Sequence, residues 1–254
     1  MPTPLSAPVV WLRVTGLLLA LLLALPAAVH AGGSEASKVG ADKYGEERIR
    51  AFTLDLIDRL DRDRVNVALI ARSGRPRAKM PAGIRYTHVG IAVFEPLRSP
   101  DGTVFHGYAV YNVYQGADGR PDRSYLKQDL VYDFICGIDE PDIAVCVPVE
   151  ELQRRVLATI RSPAYPSLHT PEYNLFANPW VDRYDNCVTH TLKVFVAAIY
   201  QTDDRTRIYD NIRAYFAPTP VRLNVNDADG FGPHEVPSHG ERADTVAVVV
   251  RTHE

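Results

Sequence analysis

Tyr184-Asp185-Asn186-Cys187-Val188-Thr189-His190-Thr191-Leu192-Lys193 divides an irregular polar stretch from an apolar helical one. Val188, Leu192, Val194, Phe195, Val196 and Ile199 follow Cys187 as a helical apolar run, which predicts a largely buried helix reaching about Tyr200. Asn186 is a good N-cap, because its side-chain oxygen can accept from a backbone N–H that the helix leaves unpaired. Cys187 is therefore expected in the first helical turn. There the free N–H groups and the helix dipole favour the thiolate, the nucleophile of cysteine chemistry. Free cysteine is also commonly a small buried hydrophobe, and this stretch alone leaves both readings open.

Two further helices flank this one in the chain. Pro148-Val149-Glu150-Glu151 opens a helix to about Ile160, with Leu152, Val156, Leu157 and Ile160 inward, and Thr202-Asp203-Asp204 caps another through Ile208, Ile212 and Phe216. Ahead of them, Ile49, Phe52, Leu56, Ile57 and Leu60 fall at helical spacing within Glu46 to Arg64. Between the helices lie strands: Asn66 to Ala71, Tyr86 to Phe94, Phe105 to Tyr114, Lys127 to Cys136 and Ile143 to Val149. A hairpin turn is expected at Asp101-Gly102. In the third strand Tyr108, Val110, Asn112 and Tyr114 share one face, with Ala109, Tyr111 and Val113 on the other. A terminal strand is expected over Thr245 to Val250, after a segment, Asp227 to Gly240, rich in Gly, Pro, Asp and His. His234 and His239 there are too loosely spaced to argue a metal site, and no cofactor is expected. The class is α+β, a mostly antiparallel sheet packed on helices.

The first segment reads as a targeting signal. Arg13 precedes an apolar run from Leu17 to Leu25, Pro26 ends it, and Val29-His30-Ala31 offers small residues for cleavage. Residues 1–31 are thus expected to be a signal peptide, 32–45 a flexible leader, and 46–254 a single domain. The implied location is periplasmic or secreted, without stable membrane insertion after cleavage. The net charge of −3, with no basic block, speaks against nucleic acid. The cysteines are three, Cys136, Cys146 and Cys187. The turn-like Gly137-Ile138-Asp139-Glu140-Pro141-Asp142 would let the first two pair, leaving Cys187 as the odd thiol.

His88 lies near the start of its strand, Asn112 is the polar exception on the next, and Cys187 begins a helix much later. Papain-like enzymes use these parts: a thiolate on a helix, a histidine acid/base on a strand, and a side chain that fixes the imidazole. Gln115 is the weaker alternative to Asn112, and Tyr86 and Tyr184 are candidates to line the cleft. His190, three residues beyond Cys187, is read first as a packed or surface histidine.

Thr87-His88-Val89-Gly90-Ile91, followed by Asn186-Cys187-Val188-Thr189-His190, resembles the circularly permuted NlpC-type group, which includes the lecithin:retinol acyltransferase-like enzymes. More closely, Arg85 to about Phe195 is similar to an exported bacterial family known as domain of unknown function two-one-four-five. The similarity rests on Arg85 to Gly90, Val110-Tyr111-Asn112, Asp122-Arg123-Ser124, Tyr173-Asn174 and Arg183 to Asn186. Many members of that family carry Ser at the position of Cys187 and His at that of Asn112. The resemblance implies a permuted papain-like fold and amide hydrolysis or acyl transfer through Cys187, with His88 as acid/base and Asn112 orienting it. A peptide or lipid of the cell envelope is the implied substrate. The alternative is a non-catalytic periplasmic binding protein on the same fold.

Overall fold

A computed structural model describes residues 39–80 and 83–217. The expected signal peptide, the 227–240 segment with His234 and His239, and the terminal strand lie outside the described residues.

The sheet has five strands, β1 (Val67–Arg72), β2 (His88–Arg98), β3 (Val104–Gln115), β4 (Ser124–Leu130) and β5 (Ile143–Cys146). They lie in the order β4-β3-β2-β1-β5, and every neighbouring pair is antiparallel. The helices are α1 (Val39–Tyr44), α2 (Glu46–Arg62), α3 (Val131–Cys136), α4 (Glu150–Arg161), α5 (Ala164–Ser167), α6 (Cys187–Tyr200) and α7 (Arg205–Tyr215). The class is α+β, as the alternation of periods predicts.

Strand alternation gives each face its own core. Ala68, Ile70, Ala92, Tyr108 and Val110 pack under Ile49, Leu56 and Leu60 of α2 and Val131, Phe134 and Ile135 of α3. Val67, Ile91 and Val93 pack on the other face against Val156 and Ile160 of α4, Val194 and Ala197 of α6 and Ile208 and Ile212 of α7. Each buried Val, Leu, Ile or Phe among them contributes about 1.5–3 kcal/mol, so helices on both faces are what hold the sheet in place. Gln153 of α4 adds a polar tie, its Oε1 accepting from the Asn66 and Val67 backbone N–H groups at 2.8 and 3.0 Å.

Three expectations are corrected. The segment to Cys136 is not one strand: β4 ends at Leu130 and Val131–Cys136 is helical. Val131, Phe134 and Ile135 are spaced i, i+3, i+4, and only a helix buries all three on α2. The leader is ordered at its end. Gly40 of α1 packs on the backbone of Cys136 and Ile138, and Lys43 Nζ and the Tyr44 hydroxyl both donate to the Asp139 carbonyl, at 2.7 and 2.6 Å. All three cysteines are free. Cys136 belongs to the α2/α3 core, whereas Cys146 pairs with Leu69 and so points to the other face, which keeps the two thiols apart.

The ladders end unevenly at one end of the sheet. β1 stays paired with β2 out to Arg72–His88, and β3 with β4 out to Gln115–Ser124, but the β2–β3 register begins only at Ile91–Tyr111. The sheet therefore opens between residues 88–90 and 112–115. Gly90 stands at this opening, where a Cβ would lie 2.6 Å from Val110 Cγ1 and 3.3 Å from Asn112 Cβ. Val110 is fully buried and has no room to yield. Gly90→Ala is expected to destabilise the protein by about 1–3 kcal/mol through overpacking, read as a lower urea midpoint at unchanged slope; an unchanged midpoint would refute the close approach.

Candidate active site

Cys187 is the first residue of α6, and its position is fixed from behind. Asn186 Oδ1 accepts from the Val188 and Thr189 backbone N–H groups, both at 2.9 Å, while Thr189 Oγ1 accepts from the Asn186 N–H at 2.9 Å. This reciprocal cap satisfies the helix start as the sequence predicts. Beneath it, Asp185 is completely buried. Its carboxylate accepts from Thr189 Oγ1 at 2.9 Å, the Thr170 N–H at 2.8 Å and Lys193 Nζ at 2.8 Å.

His88, the first residue of β2, is held through its ε nitrogen, which lies 2.9 Å from Asn112 Oδ1. The orientation of the amide follows from its surroundings. Asn112 Nδ2 faces three acceptors, the Val110 and Lys127 carbonyls at 3.1 and 3.3 Å and Asp129 Oδ2 at 3.2 Å. Oδ1 must then face the ring, and it accepts only if Nε2 carries the proton. The δ nitrogen is thereby the basic one. The ring stacks on Tyr114 at 4.9 Å and tilts against Phe134 at 5.6 Å. Burial, then the charge of Arg72, outweigh the Asn112 hydrogen bond and bring the imidazole pKa down to about 3.

Cys187 begins α6 near the opening of the sheet, where the backbone of Val89, the residue after His88, favours the thiolate. The body of α6 lies on the face of Ile91 and Val93, while the His88 ring packs on Tyr114 and Phe134 of the other face. Thiol and imidazole thus stand on opposite faces at the end of β2, and no hydrogen bond joins them: among the described residues, the only side-chain hydrogen bond of His88 is the one to Asn112. Cys187 is 8% exposed, and burial pushes its thiol up against the Val89 backbone, the Arg72 charge and the N–H groups of the helix start. The resting pair is a neutral thiol and a neutral imidazole.

The other predicted residues divide. Gln115 is not beside His88: its Nε2 donates to the Pro121 carbonyl at 2.7 Å, and its register with Ser124 turns it to the face opposite Asn112. Its role is to close the β3–β4 turn. The Tyr86 hydroxyl lies 3.2 Å from Asp142 Oδ1, two residues before His88, and half-buried Tyr184 carries Arg183 over its ring at 4.9 Å. His190 is buried rather than superficial, edge-on to Tyr165 at 5.3 Å and His169 at 5.9 Å; neither ring nitrogen has a hydrogen-bond partner, and Nδ1 lies 3.8 Å from Asp185 Oδ2. Among the described residues, no group of three or more His, Cys, Asp or Glu side chains is arranged to hold a metal ion.

Sequence reasoning passed over Arg72, Asp129, Asp185 and Lys193. Arg72 ends β1 opposite His88. Asp129 accepts from both Asn112 and the Tyr114 hydroxyl, the latter at 2.8 Å. A charge at the end of an apolar strand was the available signal for Arg72; Asp129 sits among the polar residues of β4, and nothing local marks Lys193, which a helical apolar run conceals.

Residues 59–230 match the family described as "Uncharacterized protein conserved in bacteria (DUF2145)", and the chain belongs to that family. No curated protein and no solved structure matches the chain. No helix among the described residues is long and apolar enough to cross a membrane.

Three histidines, His88, His169 and His190, have pKa values below the ordinary 6.5, each chiefly through burial. The unfolded chain therefore binds protons first as pH falls below 6.5, and stability present above that value is lost on acidification. Each contributes up to about 1.4 kcal/mol per pH unit until its folded pKa is reached, about 3 for His88. Urea midpoints are expected to fall between pH 6.5 and 4.5, above the carboxylate range, and His88→Gln to fall less steeply. Equal slopes for the two proteins would contradict a neutral, half-buried His88.

Proposed function

We propose that this chain is an exported cysteine hydrolase or acyltransferase on a permuted papain-like fold. The observation that carries the reading is the 2.9 Å contact between His88 Nε2 and Asn112 Oδ1. With the amide orientation fixed, Nδ1 is left as the base, on the residue next to Val89, whose backbone favours the Cys187 thiolate.

The chemistry follows from these positions. Cys187 Sγ attacks the carbonyl carbon of an amide or ester, and its proton passes to His88 Nδ1 once the two side chains have moved within hydrogen-bond reach across the end of β2. The carbonyl oxygen becomes an oxyanion, for which the N–H groups at the start of α6 are available donors. As the intermediate collapses, the carbon–nitrogen or carbon–oxygen bond breaks and the imidazolium returns its proton to the leaving group. Water, activated by the same δ nitrogen, then hydrolyses the thioester, or an acceptor alcohol or amine takes the acyl group. Asn112 holds the ring through the cycle. Tyr86 and Tyr184, which precede His88 and Cys187 in the chain, flank the substrate, a peptide or lipid of the cell envelope.

Burial of the thiol favours a second reading, a non-catalytic binding protein in which Cys187 is a core residue. The two differ in reactivity. Incubation with an activated acyl ester, followed by intact and peptide mass measurement, is expected to place one acyl group on Cys187 in preference to Cys136 and Cys146. Cys187→Ala removes it, and His88→Gln slows it by about 10²–10⁴-fold, the usual contribution of general acid–base catalysis. Asn112→Ala slows it less, because the amide orients the ring without adding charge. Acylation of Cys187 no faster than of the other thiols transfers the chain to the binding reading.

Export rests on the pattern Arg13, Leu17 to Leu25 and Val29-His30-Ala31. N-terminal sequencing of the protein recovered from its bacterial host is expected to begin near Gly32; a chain that begins at Met1 overturns export.

A further inference from the structure

His190 lies one turn beyond Cys187 on α6 and is only 2% exposed. Burial holds its pKa well below the ordinary histidine value, so the ring is neutral, with one nitrogen a donor and the other an acceptor. Neither has a partner among the described residues. The ring meets Tyr165 of α5 edge-on at 5.3 Å, and the Tyr165 hydroxyl is likewise buried and unpartnered. Among the described residues, four buried side-chain polar atoms lack a hydrogen bond: Arg72 Nε and these three, which belong to two touching rings. A buried polar group left unpaired carries its full desolvation cost, and such groups are ordinarily satisfied by protein or by held water.

The surroundings limit what could satisfy them. His190 Nδ1 is 3.8 Å from Asp185 Oδ2, too long for a hydrogen bond, and Lys193 Nζ and the Thr170 N–H already donate to that oxygen, both at 2.8 Å. The charged groups that act on His169 and His190 are Asp185, Lys193, Arg205 and Glu172. Each has its counter-charge: Lys193 on Asp185, Arg205 Nε on Asp182 at 2.7 Å, and Arg123 Nη1 on Glu172 at 2.7 Å. A charged guest would upset this balance, and no set of three or more His, Cys, Asp or Glu side chains among the described residues is arranged to hold a metal ion. The guest is therefore neutral, and with the two rings in contact it is small. The way in runs past His169, which is half-buried, edge-on to His190 at 5.9 Å, and 2.9 Å from Ser124 Oγ at its ε nitrogen.

We propose that Tyr165 and His190 form a buried site for a small neutral hydrogen-bonding molecule, water in the resting protein, at least one molecule of which bridges the phenol hydroxyl and the imidazole. Water suits the site because it donates and accepts at once, as a hydroxyl and a neutral imidazole together require. The site does not depend on the reading of Cys187 as nucleophile. It gives His190, which the Cys–His–Asn pattern leaves without a task, the role of tying α6 to α5 through a shared molecule.

The test needs no substrate and uses the full chain. Magnetic relaxation dispersion of the water oxygen nucleus, at neutral pH, reads long-lived internal water. The double variant Tyr165→Phe/His190→Leu is expected to lose the amplitude of at least one molecule relative to the parent. Urea unfolding gives an energetic readout that a dry contact would reverse. Tyr165→Phe, which deletes only the hydroxyl oxygen, is expected to lower the midpoint at unchanged slope and to raise the unfolding constant about three- to tenfold, the weight of one net hydrogen bond. In a His190→Leu background the same change is expected to have less than about half that effect, because the bridged partner is gone. An equal dispersion amplitude in parent and double variant overturns the proposal. So does a midpoint that rises in Tyr165→Phe, since a dry unpaired hydroxyl is better removed, and so does an equal effect in the two backgrounds, since nothing then joins the two rings. If circular dichroism shows that the variants at His190 do not fold, Tyr165→Phe alone carries both measurements: loss of amplitude with a lowered midpoint supports the site, and any other result overturns it.

Discussion

The buried carboxylate of Asp185 is the constraint on which the site depends. It has no exposure to water, and its two oxygens take a backbone N–H of the preceding loop, a hydroxyl of the helix cap and the ammonium of Lys193, two turns along α6. Removing one member of such a pair strands the other and typically costs about 3–5 kcal/mol, so loop and helix are held as one piece. The backbone of Asp185 extends the arrangement, its N–H donating to the Glu172 carbonyl and its carbonyl accepting from Asn174. Arg205 of α7 closes it from outside, bonding both Asp182 and Thr170 Oγ1. Asn186 can cap α6 only because the residue before it is anchored in this way, and the cap sets where Cys187 meets the sheet.

A second polar network does the same from the sheet. Asp129, Tyr114 and Asn112 form a chain of hydrogen bonds across β4 and β3 that ends on the ε nitrogen of His88. Every member but the histidine is deeply buried, and a satisfied network of this kind fixes one arrangement because any other leaves a polar group unpaired. The two networks approach the opening between β2 and β3 from opposite faces. Neither makes the site stable in itself: it contains an imidazole driven neutral and a guanidinium without a carboxylate. The apolar cores on the two faces carry that cost.

Much of this was legible in the sequence where a residue broke a period. Asn112 stands out in an alternating apolar strand, and Asn186 marks the start of an apolar helix; both were placed by that signal. Strands β1, β2, β3 and β5 and the main helices followed from their periods in the same way. What stayed hidden depends on partners distant in the chain. Lys193 reads as one charge in a helix until Asp185 is seen beneath it, and Arg72 reads as the end of a strand until the register sets it against His88. Residues 131–136 have a composition suited to a strand, and only the surface offered by α2 decides for a helix. The expected disulfide failed for a reason sequence spacing does not carry, since one residue of parity sends Cys146 to the opposite face from Cys136.

The charge of Arg72 bears on both ends of the proposed proton transfer. It opposes protonation of His88 and favours ionisation of Cys187. For the transfer of a proton from sulfur to Nδ1 these effects act on the two ends of one step and largely cancel. The neutral resting pair is therefore set by burial, the first cause of both shifts, and not by the guanidinium. In the proposed reaction a thiol that rests neutral and buried stays a poor nucleophile until a carbonyl group is held over Cys187.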